Sequence, residues 1–146
     1  PPMVMTPVEA RISSILKGLR KFRANDGSLL IAPFDKLPDK NAVADYYQTI
    51  SNPIALDSIK KKAKRKKYRH VDQLLSDLEL MFDNAKSYNE DDSPLFLAAA
   101  ELQEHARILA SQEKSKSDDE FRDEDGKLPL SEIGEHGQTW KVGTYN

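Results

Sequence analysis

The sequence predicts an all-α fold, a bundle of four helices, on three observations. Apolar residues recur at steps of three and four in three separate stretches, which is the spacing of one helix face. Residues that cap helix starts stand directly before two of these stretches, at Thr6 and Ser93. The chain of 146 residues is 32% charged and only 38% hydrophobic, so its core must come from well-patterned helices.

The first helix begins at Thr6, where Thr6-Pro7-Val8-Glu9 forms a capping box with proline at the first helical position. It should end at Asn25-Asp26-Gly27, which is a strong turn signal. One face of this helix carries Val8, Ile12, Ile15, Leu16, Leu19 and Phe22.

An irregular stretch from about Ser28 to Pro53 follows the first helix. Pro33, Pro38 and Pro53 each disfavour helix in the residue before them. The stretch is nevertheless rich in apolar and aromatic side chains, so it should be packed and not loose. We expect a folded binding loop with a short helical turn near Ala42–Gln48.

A short helix and a basic run come after the loop. The helix should extend from Ile54 to about Lys62, with Ile54 and Ile59 facing inward. The run Lys60–Lys67 contains seven basic residues in eight. Such a run is most often a solvated face, and otherwise it indicates phosphate contacts or a nuclear-import signal.

A long helix should then extend from about Val71 to Tyr88, and a last helix begins at Ser93-Pro94. The chain therefore reverses within about four residues, and Asn89 lies at this reversal. The usual role of asparagine just past a helix end is to tolerate the left-handed conformation. The predicted inner faces are Val71, Leu74, Leu75, Leu78, Met81, Phe82, Ala85 and Tyr88 on the long helix, and Leu95, Ala98, Ala99, Leu102, Ala106 and Leu109 on the last.

The end of the chain differs in composition from the bundle. Residues 1–110 carry 17 basic and 15 acidic side chains, whereas residues 111–146 carry 5 and 9. Residues 111–127 lack an apolar period, which predicts a charged linker. Thr139–Tyr145 predicts a β-strand that docks on the bundle or belongs to a second domain. We therefore divide the chain into a bundle at 1–110, a linker at 111–127 and a tail at 128–146.

Several function classes find no support in the sequence. The absence of cysteine excludes disulfides, thiolate metal sites and a cysteine nucleophile. No phosphate loop or metal-ligand cluster is present, so we predict neither an enzyme nor a cofactor or metal. Asp123, Asp125, Gly126 and Glu132 match a calcium-binding loop only in part. No apolar run approaches the ~20 residues of a membrane span, and the first residues do not form a signal peptide, so we expect no membrane partner.

Four ordered blocks of residues carry a family resemblance. They are Pro33-Phe34, Asp45–Ile54, Leu56–Lys60 and Met81–Asn89. Through these blocks the stretch from about Thr6 to Ala110 resembles a bromodomain, the acetyl-lysine reader of chromatin proteins. The tail at Gly137–Gly143 resembles the start of a BAH (bromo-adjacent homology) domain. Together they are most similar to the second bromodomain of the bromodomain–BAH subunits of the fungal RSC chromatin-remodelling complex.

The resemblance implies a left-handed bundle with a pocket at one end, between the long loop and the turn after the long helix. Asn89 would donate to the acetyl carbonyl, and Tyr46 would reach the same oxygen through a water. The other implied pocket residues are Pro33, Phe34, Leu37, Val43, Tyr88 and Leu95, with Leu95 at the mouth. The implied partners are an acetylated histone tail and the other subunits of a chromatin-remodelling complex in the nucleus.

The chain departs from the family pattern at two positions. Ala32 stands where the family usually has tryptophan, which removes an aromatic wall beside the pocket. Ala55 stands where an aspartate usually opens the short helix, which removes an N-cap worth about 1 kcal/mol.

Two functions therefore remain open. The first is a chromatin reader of acetylated lysine. The second is a bromodomain-like scaffold with a weakened pocket that binds nucleosomal DNA or a complex partner. The residues expected to contact DNA are Lys60, Lys61, Lys62, Lys64, Arg65, Lys66 and Lys67.

Overall fold

The computed structural model describes residues 3–131, and most of these residues are helical. The helices are α1 (Pro7–Lys21), α2 (Ala44–Thr49), α3 (Leu56–Lys64), α4 (Val71–Tyr88) and α5 (Pro94–Ser115). Two short strands, β1 (Met3–Val4) and β2 (Leu130–Ser131), pair in antiparallel orientation, with Met3 opposite Ser131. The bundle consists of α1, α3, α4 and α5, while α2 lies in the long loop between α1 and α3. The predicted all-α, four-helix fold is confirmed.

Side-chain caps begin two of the bundle helices where the sequence predicts them. Thr6 Oγ1 accepts from the Glu9 N–H at 3.3 Å, and the Glu9 carboxylate accepts from the Thr6 N–H at 3.2 Å. Ser93 Oγ accepts from the Phe96 N–H at 3.3 Å. The start of α3 has no such cap, because Ala55 stands at the N-cap. The Asp57 N–H instead donates to the Asp35 carbonyl of the long loop at 2.9 Å, which ties the start of α3 to that loop.

The core lies where the apolar faces of the four bundle helices meet. The side chains with no exposed surface are Leu19, Ile59, Leu74, Leu78, Phe82, Ala99 and Leu102. Gln103 is buried among them, which its polarity did not predict. Its amide accepts from Lys86 Nζ at 2.7 Å and donates to Asp83 at 2.8 Å, so its burial leaves no polar group unsatisfied. Leu95 is 38% exposed in the first turn of α5, so the prediction that it lies on the inner face was wrong.

The long loop is packed, as its apolar content predicts. Its first half forms a 3-10 turn at Ala32–Phe34, and the Phe34 ring meets Phe82 of α4 edge-on with centroids 5.4 Å apart. Ile31 is also buried in the core. Its second half contains α2, close to the helical turn predicted at Ala42–Gln48. The loop is therefore held against the bundle at both halves.

Helical structure continues beyond residue 110. The helix α5 continues to Ser115, past the boundary predicted at residue 110, and a 3-10 turn follows at Asp118–Phe121. Arg11 of α1 donates to the carbonyls of Glu113 (3.0 Å) and Lys116 (2.7 Å) and to Asp118 (2.7 Å). The division at 110 and 127 stays a prediction, and the predicted strand at Thr139–Tyr145 lies outside the described residues.

Candidate binding site

The C-terminal end of α4 carries Asn89 in an extended backbone conformation, with φ −93° and ψ 149°. Both its backbone N–H (3.0 Å) and its side-chain amide (2.9 Å) donate to the Ala85 carbonyl. The left-handed role expected for Asn89 was therefore wrong, and Asp92 takes that conformation instead, with φ 63°. A side-chain amide has two N–H bonds, and the Ala85 contact uses one of them. The other is available to a ligand at the helix end.

Tyrosines from α2 and α4 pack together beside Asn89. The Tyr46 ring meets the Tyr88 ring edge-on, with centroids 4.9 Å apart and planes at 70°. The Tyr88 hydroxyl donates to the carboxylate of Asp45, at 3.1 Å from Oδ1 and 3.2 Å from Oδ2. The Tyr47 hydroxyl donates to the Pro38 carbonyl, which holds α2 to the loop before it. The end of α4 and the helix of the long loop are thus joined.

The phenols of Tyr46 and Tyr88 stay protonated at neutral pH. Burial raises the pKa of Tyr46, and the neighbouring phenols Tyr47 and Tyr88 raise it further. Desolvation likewise raises the pKa of Tyr88, with a second contribution from its hydrogen bond to Asp45. Within the described residues the Tyr46 hydroxyl has no hydrogen-bond partner, so it can donate to a water or a ligand.

The structure brings only some of the predicted pocket residues together. Tyr46 and Tyr88 are in contact through their rings, and Asn89 follows Tyr88 in the chain. Phe34 is 7% exposed and most of its surface packs in the core, while Val43 precedes α2 and is half-buried. Pro33, Leu37 and Leu95 are exposed, and no contact joins them directly to Asn89 or Tyr46 among the described interactions.

Asp45 lies at the candidate site, and the sequence did not single it out. Its position beside Tyr46 was part of a recognised block, yet nothing in the spacing indicated that Tyr88, 43 residues away, would donate to it. A helical period relates residues within one element, whereas this contact joins two elements.

A cleft of about 460 Å³ lies elsewhere, along α3 and α4. Its lining consists of Ser51, Asn52, Pro53, Ile54, Ser58, Ile59, Lys62, Asp77 and Leu80. Its charged groups satisfy one another, because Asp77 accepts from Lys62 Nζ at 3.0 Å and from the Tyr68 hydroxyl at 2.6 Å. We place the candidate site at Asn89 and not in this cleft, because the side-chain amide of Asn89 has one N–H left to donate to a ligand.

The basic run divides into paired and unpaired side chains. Lys60, Lys62 and Lys66 form ion pairs with Asp35 (3.5 Å), Asp77 (3.0 Å) and Glu9 (3.8 Å), respectively. The other four members, which have no acidic partner in the described part of the chain, are Lys61, Lys64, Arg65 and Lys67.

Two further features of residues 3–131 concern metal binding and membrane insertion. This part of the chain contains no group of three or more histidine or acidic side chains that could hold a metal ion. None of its helices combines the length and the apolar content that a membrane span requires.

The four-helix bundle, with its packed long loop and with Asn89 at the end of α4, points to one class of protein. A family model described as Bromodomain matches residues 15–101, and the chain belongs to the bromodomain family. The chain is similar to the solved bromodomain of human BAZ1A, at 31% identity and a TM-score of 0.60, with 73% of this chain and 94% of that chain covered.

The curated relatives of the chain include subunits of chromatin structure-remodeling complexes. The subunit rsc1 of Schizosaccharomyces pombe is 38% identical over 80% of this chain, and RSC1 of Saccharomyces cerevisiae is 33% identical over 99% of it. The chain spans only 15% and 16%, respectively, of the length of these relatives.

Proposed function

We propose that the chain is a chromatin reader module that binds acetylated lysine through Asn89. The observation that carries this proposal is the free donor capacity of the Asn89 amide at the end of α4, together with a Tyr46 hydroxyl that has no hydrogen-bond partner among the described residues. A neutral amide ligand needs such donors for its carbonyl oxygen. Membership of the bromodomain family supports the same assignment.

The chemistry of acetylation explains how such a site distinguishes acetylated lysine from unmodified lysine. Acetylation converts the lysine ammonium into a neutral amide with a methyl group. Burial of that methyl and of the side-chain stem contributes about 0.8 kcal/mol per group, and the hydrogen bond from Asn89 adds about 1 kcal/mol net. An unmodified lysine would bury its charge without a partner, which costs several kcal/mol. Because few groups take part, a single acetyl-lysine should bind weakly and other modules would add avidity.

Calorimetric titration of the 146-residue chain with acetylated and unacetylated forms of one histone-tail peptide tests the proposal. We expect binding of the acetylated peptide only, and loss of that binding in Asn89→Ala. Asn25→Ala is the matched control, because Asn25 is exposed in the turn after α1 and should leave affinity unchanged. Thermal melts confirm that both variants fold.

An affinity that ignores acetylation, or that survives in a folded Asn89→Ala variant, would rule the reader function out. Binding of a peptide without regard to acetylation would favour the scaffold function instead. That alternative is supported by Ala32, which is exposed in the long loop and offers no aromatic side chain at this position.

We further propose that the chain is the second bromodomain of a nuclear RSC-type subunit and that residues 128–146 begin a BAH domain. The alignment with the budding-yeast RSC1 supports this placement, because it includes the tail as well as the bundle. Affinity purification of the full-length protein from nuclei should recover the other subunits of a chromatin-remodelling complex. Recovery of the protein alone, or from another compartment, would contradict the placement.

A further inference from the structure

We propose that the turn between α3 and α4 is a binding surface for the phosphates of duplex DNA, separate from the peptide site at Asn89. We call this surface the basic turn, and its residues are Lys61, Lys64, Arg65, Lys67 and Arg69. The proposal depends on the reader function in one respect only: a chromatin reader works beside nucleosomal DNA, which makes duplex DNA the expected polyanion.

The five side chains of the basic turn are exposed and uncompensated. Each belongs to an exposed residue, and none forms an ion pair within the described residues. The carboxylates of Asp35, Asp77 and Glu9 pair instead with the other three basic residues of the run, which are Lys60, Lys62 and Lys66. The fold thus leaves five cations within nine residues free for an external anion.

A helix dipole explains only part of this charge. Cations in the last turn of a helix interact favourably with its C-terminal carbonyls, which accounts for Lys61 and Lys64 in α3. Lys67 and Arg69 lie beyond the end of α3 and before the start of α4, where this effect has faded. The dipole of α3 therefore does not explain Lys67 and Arg69.

The backbone of the basic turn is fixed. The N–H groups of Arg65, Lys66 and Lys67 donate to the carbonyls of Lys61, Ala63 and Lys62 at 3.0–3.1 Å. Lys66 takes the left-handed conformation, with φ 60°, which a glycine would adopt with less strain. The cations are consequently presented from a preformed surface, so that less conformational entropy is lost on binding.

The basic turn and the peptide site lie at opposite ends of one helix. The turn leads into the first residue of α4, Val71, whereas Asn89 follows its last residue, Tyr88. A helix of 18 residues is about 27 Å long at 1.5 Å per residue. One bundle can therefore bind a histone peptide and a DNA backbone at the same time, without competition between them.

Fluorescence anisotropy of a labelled DNA duplex, measured over a series of salt concentrations, tests the proposal with the 146-residue chain. The test variant is Lys64→Gln with Arg65→Gln. The control variant is Arg107→Gln with Lys114→Gln, which removes the same charge from cations that pair with Glu79 and Asp72. We expect binding that weakens with salt, and a slope of log affinity against log salt that is smaller by about 2 in the test variant alone.

A peptide titration of the same variants keeps this proposal distinct from the reader function. Both variants should bind the acetylated peptide as the unmodified chain does, whatever happens to DNA binding. DNA binding that is absent at low salt, insensitive to salt, or equally reduced in both variants would overturn the proposal. Preference for anionic lipid vesicles over the duplex would overturn it as well.

Discussion

The Tyr88 hydroxyl, on the last residue of α4, donates to the carboxylate of Asp45 in the short helix α2 of the long loop. Tyr46 follows Asp45 directly and packs edge-on against the same Tyr88 ring. The hydrogen bond therefore ties α2, which carries Tyr46, to the end of α4, which Asn89 follows. Neither Asp45 nor the Tyr88 hydroxyl needs to contact a ligand for this effect, so we expect both to act as positioning groups.

A double-mutant cycle with Asp45→Ala and Tyr88→Phe should reveal this positioning. We expect each single variant to weaken acetyl-peptide binding by about two- to fivefold and the double variant to weaken it no further, because both remove one hydrogen bond. Tyr47→Phe is a useful comparison, since it removes a hydroxyl that holds α2 to Pro38 and not to α4. Additive losses in the double variant would show that Asp45 and Tyr88 act separately.

Tyr68 should make the stability of the bundle depend on alkaline pH. It is buried beside Asp77, and burial first, then the hydrogen bond to this carboxylate, raises its pKa far above the ordinary value of 10.0. A raised pKa means that the folded state holds the proton more tightly than the unfolded chain. The contribution is therefore complete below pH 10 and is lost as the pH rises above it.

Urea denaturation of the unmodified chain and of Tyr68→Phe, at pH 7 and pH 11, measures this contribution. At pH 7 the variant should be less stable by about 1 kcal/mol, because it lacks the hydrogen bond to Asp77. At pH 11 the difference should shrink, since only the unmodified chain must retain a proton on a buried phenol in order to fold. A deficit of equal size at both pH values would contradict this account.

Arg11 should hold the segment after α5 against α1. Its guanidinium makes the three hydrogen bonds described above and lies 4.9 Å from the centroid of the Phe121 ring. We expect Arg11→Gln to lower the free energy of unfolding by about 2 kcal/mol. The Met5 N–H, which donates to the Pro129 carbonyl at 2.7 Å, should then exchange faster with solvent.

Arg122→Gln is the matched control for Arg11. Among the described residues Arg122 bonds to Asp119 and to the Gly126 carbonyl, both within its own segment, and an exposed pair of this kind contributes about 0–1 kcal/mol. Unchanged exchange at Met5 in Arg11→Gln, or equal effects in the two variants, would show that this segment does not depend on its contact with α1.

Local signals account for the part of the fold that the sequence predicts well. Helix caps and helical periods involve residues three or four apart. The caps at Thr6 and Ser93 are therefore recognisable without any knowledge of the tertiary structure. The contacts of Arg11 with the end of α5 span more than 100 residues, and no local pattern contains them. The sequence alone therefore predicts a linker for the polar stretch after residue 110.

Local sequence patterns likewise predict only part of the candidate site. Asn89 could be selected from its place after a long amphipathic helix, but its extended backbone could not, because a turn of four residues can place its left-handed residue at any of several positions. The structure assigns that residue to Asp92. The partnership of Asp45 with Tyr88 requires the packing of α2 on α4, which only the folded chain provides.

The substitution Ala32→Trp tests whether the missing aromatic wall limits the affinity of the pocket. Ala32 is exposed at the start of the 3-10 turn, whereas its neighbour Ile31 is buried in the core and Leu37 is 41% exposed. An indole at position 32 would therefore extend over the surface of the loop without entering the core. It could cover several tens of Å² of the lysine stem and the adjacent peptide residue, which would tighten acetyl-peptide binding by about 1 kcal/mol.

The gain from Ala32→Trp should disappear in the Asn89→Ala background, because the wall only adds to a ligand already oriented by the amide. Calorimetric titrations and thermal melts of both variants are the measurements. If Leu30, Ile31 or Leu37 already fills the space, the indole would overpack the loop and lower the melting temperature. Weaker binding together with a lower melting temperature would mean that the loop has no vacancy at this position. Tighter binding at an unchanged melting temperature would show that the missing aromatic wall at position 32 limits affinity.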